Sequence, residues 1–341
     1  MDDLNRPDFV CHQPFNNLEI LNTGAIACCG AFFESDFFAL HRDCGQPADT
    51  WNNNWFQALR ASMLDGTYRY CTDRCPKYVQ IRKGTSSMTR ATAGERIKHC
   101  INTGQGILPM GPRWMALSDD LSCNLCCRSC RATKVNDSRE LHDRRFDRAV
   151  ALLDRCGKDL ECLALSSTGE PFFSRYYLRL MREYLCREKL PKGNVHIGTN
   201  GTLLDEKMWE SLKCKDMVNL ICVSVDAATK ETYEKMRGPN WDRLMANLQF
   251  IKGLHESGKV RNFQLRMVVQ ALNWREMEPF AYLASTVLAD PVYQLAYPWG
   301  TLTDTDMIYY KTHPLYEEFM DHLRAFDKKF SLAEAYYRQL L

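Results

Sequence analysis

No run of eighteen or more apolar residues occurs in this 341-residue chain, which argues against a membrane-spanning helix. Charge of one sign is missing too. Lys and Arg number 44 against 42 Asp and Glu, a formal net charge of +2, so no global basic field points to nucleic acid. The opening MDDLNRPDFV lacks the basic and apolar regions of a secretory signal. A strict repeat is absent from residues 1–83. The expectation is a cytoplasmic protein with neither a membrane nor a nucleic acid as partner. A mixed-sign stretch, SRELHDRRFDR (138–148), reads as the solvated start of a helix rather than a polyanion site. With 45% hydrophobic and 25% charged residues, the chain can bury a sizeable core. Its length suits one large domain plus a smaller one.

Cysteine is what the chain has in excess, at sixteen residues. Without a secretory start, clustered thiols point to metal or redox chemistry rather than disulfides. The densest group is CNLCCRSC, Cys123 to Cys130. Two back-to-back C-x2-C pairs would make a closed zinc site, but adjacent Cys126 and Cys127 are sterically poor for it. The other parse is C-x3-C-x2-C, using Cys123, Cys127 and Cys130 and leaving Cys126 over. Three thiolates from one loop can hold three corners of a cubane iron–sulfur cluster and leave the fourth iron open.

From residue 113 onward, strand and helix patterns alternate. Strands are expected at RWMALS, LECLALSS, NVHIGT, VNLICVSV, FQLRMVVQ and VYQLAY. Helices are expected at LHDRRFDRAVALLDR, YYLRLMREYLCREKL, DEKMWESLK, WDRLMANLQFIKGLHES and WREMEPFAYLASTVL. Such units with short connections argue a parallel sheet, curled into a barrel or doubly wound, with chemistry at the C-terminal strand ends. Before residue 84, NNLEILNTGAIACC reads as a hairpin turning at NTG, and WFQALRASML (55–64) as a short helix stopped by Asp65-Gly66. Residues 84–112, rich in turn signals, read as a linker around a short helix.

CNLCCRSC, placed after the first strand of the α/β run, resembles the cluster loop of the radical S-adenosylmethionine (radical SAM) superfamily. Further motifs follow in the family's order. TGEP, Thr168 to Pro171, is similar to the family's GGEP, with Thr168 where glycine is usual and Gly169 free to supply a permissive φ. TNG, Thr199 to Gly201, follows the third strand. SVDAATKETYEKMRG follows the fourth, and VVQALNWREME the fifth. The resemblance implies that Cys123, Cys127 and Cys130 hold a 4Fe–4S cluster. It implies that Thr168, Gly169, Glu170 and Pro171 bind the amino group of S-adenosylmethionine, and that Thr199 and Asn200 line its site. Ser224 and Asp226 would take ribose or the methionine carboxylate with help from Arg237. The segment with Asn273 and Glu276 would pack on adenine.

Residues 9–77 resemble the SPASM/twitch extension of the same superfamily, though that extension usually follows the barrel. The implied ligands of an auxiliary 4Fe–4S cluster are Cys11, one of Cys28 and Cys29, Cys71 and Cys75. Structural zinc is the alternative for these thiols. Cys44 reads as a bystander. Cys126 and Cys222 are candidate hydrogen-atom donors, or simply buried small hydrophobes. Tyr297 and Trp299 are candidates for shaping a substrate site, His196 for the core. HPLYEEFMDHLRAF reads as an amphipathic helix covering the barrel end.

The expected fold is α/β, a partial (β/α)6 TIM-like barrel preceded by a small cysteine-rich cluster-binding domain. Expected boundaries are 1–83, the linker 84–112, the barrel 113–300 and a helical extension 301–341. The expected activity is cleavage of S-adenosylmethionine to a 5′-deoxyadenosyl radical, then hydrogen abstraction in an oxidation or epimerisation. A small-molecule or sugar substrate is expected, since no leader-peptide-binding domain is evident. A maturase acting on a peptide is the alternative, and an electron carrier or scaffold is the competing non-enzymatic class. An external one-electron reductant such as flavodoxin or ferredoxin is the expected partner.

Overall fold

The computed structural model describes residues 9–22, 26–28, 47–71, 75–84, 89–90, 92–165, 168–296, 298 and 300–330. Cys29, Cys44, Tyr297, Trp299 and most of the NTG turn lie outside the described residues.

The strands are β1 (Asn17–Leu21), β2 (Ile26–Ala27), β3 (Trp114–Ser118), β4 (Cys162–Leu165), β5 (Asn194–Thr199), β6 (Val218–Ser224), β7 (Asn262–Val269) and β8 (Asp290–Leu295). The helices are α1 (Gln13–Asn16), α2 (Asn54–Leu64), α3 (Pro76–Arg82), α4 (Glu95–Thr103), α5 (Arg139–Cys156), α6 (Arg175–Arg179), α7 (Glu206–Glu210), α8 (Lys230–Arg237), α9 (Trp241–Glu256), α10 (Met277–Thr286) and α11 (Tyr316–Phe330). Strand order is β2-β1-β3-β4-β5-β6-β7-β8. The fold is α/β with a parallel seven-strand sheet, in keeping with a partial TIM-like barrel; β2 is added antiparallel to β1. All six strands expected from residue 113 onward are present.

Two compact units divide the described residues. The first takes them from 1–120, 139–168 and 183–195, the second from 121–138, 169–182 and 196–341. In the first unit the expected hairpin forms, with Glu19 opposite Ala27. What the pattern did not show is that β1 also pairs in parallel with β3, from Asn17 opposite Trp114 to Leu21 opposite Ser118. Asn53 caps α2, its side chain accepting from the Phe56 N–H at 2.8 Å. Trp55, Phe56, Leu59 and Met63 are buried. Between them lies Arg60, fully buried. It donates to the carbonyls of Pro14, Trp51 and Gly106 and to Asn52 Oδ1 at 2.6–2.9 Å, and its guanidinium sits 4.3 Å from the Trp51 ring centre.

The reading of 138–148 as a solvated helix start is corrected here. His142 and Arg145 on α5 are buried, their side-chain nitrogens 3.7 and 3.4 Å from the carboxylate of fully buried Asp120, and Arg148 pairs with Asp119. The charges at the end of β3 need these partners, because a buried carboxylate alone is costly. The helix expected over 176–190 is also shorter. Helix α6 passes into a π-turn at Leu180–Tyr184 and ends. Leu185 and Leu190 are both fully buried. On a continuous helix, residues five apart would sit about 140° from each other, so one would face water.

In the second unit β6, β7 and β8 pair in parallel, with Ser224 opposite Arg266 and Arg266 opposite Val292. Phe263, Leu265, Met267 and Val269 form the buried face of β7, against which α9 and α10 lie. The amphipathic α11 buries Phe319, Met320, Leu323 and Phe326; Phe319 meets Trp274 edge-on at 5.9 Å and Phe326 meets Tyr293 at 5.1 Å.

Candidate active site

The site is built at the C-terminal ends of strands in the second unit. Its first part is the cysteine loop. The Cys123 N–H donates to the Val135 carbonyl at 2.9 Å, and the N–H groups of Cys130 and Arg131 both donate to the Cys127 carbonyl, closing a helical turn. That turn sorts the four thiols. Cys123 and Cys127 are buried with Leu125, and Cys130 packs against them half-buried. Cys126 is exposed, and its thiol donates to the Arg131 carbonyl at 3.2 Å.

Each inward sulfur is approached by a donor. Cys123 Sγ accepts from the Leu125 N–H at 3.4 Å and lies 3.8 Å from Asn200 Nδ2. Cys127 Sγ lies 3.9 Å from Arg237 Nη1. Cys130 Sγ accepts from Arg131 Nε and Nη2 at 3.2 and 3.1 Å. Burial pushes the Cys123 thiol up to about 11 and raises that of Cys127. Ionised together, these thiols need a bound cationic group to compensate them.

Around the loop the motif residues are tied to one another. Asn200 Nδ2 donates to Asn124 Oδ1 at 2.9 Å, Asn124 Nδ2 to Thr202 Oγ1 at 2.9 Å, and Thr202 Oγ1 to Asn200 Oδ1 at 2.7 Å. This ring fastens the cysteine loop to the turn after β5. Fully buried Glu170 holds the same turn. Its Oε1 accepts from Thr199 Oγ1 at 2.7 Å and the Phe172 N–H at 3.1 Å, and its Oε2 from the Asn200 N–H at 2.6 Å. Burial raises this carboxyl to about 7, against the opposing effect of those donors. Gly201 takes φ +75°, and its carbonyl accepts from Asn247 Nδ2 at 2.8 Å. Pro171 is buried beside Glu170. In the first unit, Thr168 Oγ1 donates to the carbonyls of Ser118 and Asp120.

After β6 the backbone turns left-handed at Asp226, φ 64°, an uncommon conformation that aspartate tolerates better than most residues. The surroundings hold it there. Asp226 Oδ1 accepts from the Val268 N–H at 2.8 Å, Oδ2 from Arg237 Nε and Nη2 at 2.9 and 2.6 Å, and its carbonyl from Asn273 Nδ2 at 2.7 Å. Asp226 and Asn273 are both buried, so their polar atoms are already engaged by protein. Glu276 accepts from the Ala228 N–H, the Thr229 N–H and the hydroxyls of Thr229 and Thr232, which pins the N-terminus of α8. That helix ends in Arg237, so Glu276 holds the start of the helix and Asp226 the guanidinium at its end. Ser224 is half-buried on β6, and Cys222 is buried on the same strand.

Sequence reasoning missed several supports. Asn124, Thr202 and Arg131 are polar residues in loops, and only their placement reveals the sulfurs and amides they meet. Gly300, at φ +61°, comes so close that an added Cβ would stand 2.1 Å from the Cys130 carbonyl oxygen, while the Thr301 hydroxyl donates to the Arg128 carbonyl. A lone glycine beyond the last strand carried no pattern that could find this.

Residues 121–281 match the radical SAM superfamily model. Those residues form a radical SAM domain. Solved structures resemble it at low identity. They include SuiB of Streptococcus suis bound to S-adenosylmethionine (14% identity, TM-score 0.45, covering 95% of this chain and 70% of that one). Another is TYW1 with a lysine-pyruvate adduct bound (15%, 0.41, 64% and 74%), and a third anSMEcpe with bound AdoMet (20%, 0.42, 62% and 57%). No curated protein matches the sequence. Across these three structures the chain spans 57–74% of the other protein's length.

A radical SAM domain implies a 4Fe–4S cluster and S-adenosylmethionine. The residues present fit the cluster: three thiols of one loop packed together, a donor at each sulfur, and the fourth cysteine exposed. Burial raises the phenol of Tyr68, with smaller contributions from Cys11 and Cys71, and burial lowers the Arg60 guanidinium to about 10 against the opposing effect of Cys100 and Cys28. Among the described residues, no helix is long and apolar enough to cross a membrane.

Proposed function

We propose that the chain is a radical SAM enzyme that oxidises or epimerises a small-molecule or sugar substrate by hydrogen-atom abstraction. The observation that carries this reading is the sorted cysteine loop, with Cys123, Cys127 and Cys130 facing inward under polar donors. When bound, the cluster supplies the electron that cleaves S-adenosylmethionine to a 5′-deoxyadenosyl radical, which removes hydrogen from the substrate. Cys123, Cys127 and Cys130 would hold that cluster. Gly169, Glu170, Pro171, Thr199 and Asn200 would receive the methionine amino end. Ser224 and Arg237 would receive its carboxylate or ribose, with Asp226 orienting Arg237 and Asn273 shaping the adenine end. An auxiliary cluster on Cys11, Cys71, Cys75 and one of Cys28 and Cys29 would accept a second electron. A cytoplasmic flavodoxin or ferredoxin would serve as reductant.

The test is anaerobic reconstitution, confirmed by absorbance, followed by dithionite and S-adenosylmethionine. We expect 5′-deoxyadenosine from the wild type and from Cys126→Ala, and none from Cys127→Ala. A cluster-loaded wild type that forms no 5′-deoxyadenosine would instead be an electron carrier. Loss of the cluster in Cys126→Ala would overturn the assignment of the three thiols.

A further inference from the structure

The strands of the second unit have one face buried under helices and one face less covered. On β7 the less covered face carries Gln264, Arg266 and Val268, all half-buried. Parallel neighbours in register point to the same side, so Cys222 and Ser224 of β6, opposite Gln264 and Arg266, share it. Arg266 is unusual among the arginines of this unit. Arg131 and Arg237 have sulfur or carboxylate partners and Arg275 pairs with Glu318. The side chain of Arg266 makes no hydrogen bond or ion pair with any described residue, and its Nε is closed off from water.

A guanidinium does not shed its proton, so a shielded, unpartnered one keeps its charge and wants an anion. Its backbone is fixed where such a group would be useful. The Arg266 carbonyl accepts from the N–H groups of Val225 and Asp226 at 3.0 and 3.2 Å, beside the left-handed turn that holds Arg237. Burial raises the Cys222 thiol on the same face, and the positive charge of Arg266 opposes that rise.

We propose that Arg266 is the receptor for an anionic oxygen group, a carboxylate or phosphate, on the substrate. The planar fork of the guanidinium matches either group through two parallel hydrogen bonds. Gln264 and Ser224 stand beside it as neutral donors. This rests on the radical SAM reading and narrows its substrate class from small molecules and sugars at large to those that carry an anionic group. A carboxylate could also come from S-adenosylmethionine itself, and the experiment separates the two sources.

Full-length protein is loaded with its cluster, and iron content and S-adenosylmethionine affinity are measured first; failure there would count against the radical SAM reading alone. Phenylglyoxal, which attacks arginine, is then applied, and modification of Arg266 is followed by peptide mass spectrometry. Inorganic phosphate is the probe, with chloride at equal ionic strength as control, each with and without saturating S-adenosylmethionine. We expect Arg266 to be modified, and phosphate at about four times its dissociation constant to slow that modification about fivefold, with cofactor bound or not. In Arg266→Gln, the affinity for S-adenosylmethionine should stay within about twofold of wild type, a free-energy change too small for a lost charge-assisted contact. An Arg266 that phenylglyoxal does not reach, or phosphate no better than chloride, would overturn the proposal. So would protection by S-adenosylmethionine but not by 5′-methylthioadenosine, which lacks the carboxylate, with none from phosphate.

Discussion

Cys126 and Cys127 are chemically identical neighbours, yet one is exposed and the other is buried under Arg237. The difference is set by the turn closing on the Cys127 carbonyl, which sends consecutive side chains in different directions. Arg131 then bears on Cys130 through two N–H groups. Positive donors at a cluster sulfur favour the reduced, more negative state. Arg131→Gln should therefore lower the midpoint potential of the loaded cluster, with Arg131→Lys falling between. A tenfold shift in the reduced-to-oxidised ratio corresponds to about 59 mV, measurable by redox titration followed by electron paramagnetic resonance. Glu170 makes a second prediction at this scale. Its folded carboxyl titrates near 7 and its unfolded one near 4.5, so between those values the folded state holds the extra proton. Its contribution to stability is thus full below the unfolded value and is lost as pH rises through the folded one. Urea melts of apo wild type across pH 4.5–7 should carry this downward slope with rising pH, and Glu170→Gln should lack it.

Among the elements, α8 shows how a helix is used as a lever. Glu276 holds its first turn and Asp226 the arginine at its last. Asp226→Ala removes a left-handed-tolerant residue and leaves buried Arg237 unpaired, so a loss of about 3 kcal/mol in denaturant unfolding is expected. Asp226→Asn, which keeps an acceptor for Val268 and tolerates the same φ, should lose less. Helix α2 offers a parallel case in the first unit. Arg60 ties it to three separate backbone carbonyls, and Arg60→Met should cost about 3 kcal/mol by leaving those carbonyls without their donor. Arg237 was singled out in sequence through the motif after the fourth strand, whereas Arg60, on the apolar side of a short helix, carried no signal.

For the whole molecule, the metal content distinguishes one cluster from two. About eight irons per reconstituted chain are expected if the N-terminal thiols hold a second cubane, and about four if they do not. Cys71→Ala should then remove half of the iron while leaving 5′-deoxyadenosine formation measurable; an unchanged iron count would exclude the second cluster. The strand-and-helix alternation after residue 113 was readable because each buried strand leaves a local period of two or a continuous apolar run, and each helix a period near four. The motifs at the strand ends were readable because turns need particular residues. The pairing of β1 with β3 was not readable, since a parallel partner nearly a hundred residues away leaves no mark on the local pattern.

Local order thus prescribed the alternating α/β arrangement, the three-thiol spacing and the succession of loops. Long-range folding settled which cysteine turned outward, which carboxylates were already engaged by backbone, and which shielded arginine found no hydrogen-bond partner among the described residues. The physical reason is that spacing limits where a side chain can point, whereas its burial and its partners depend on segments that meet only when the chain has closed on itself.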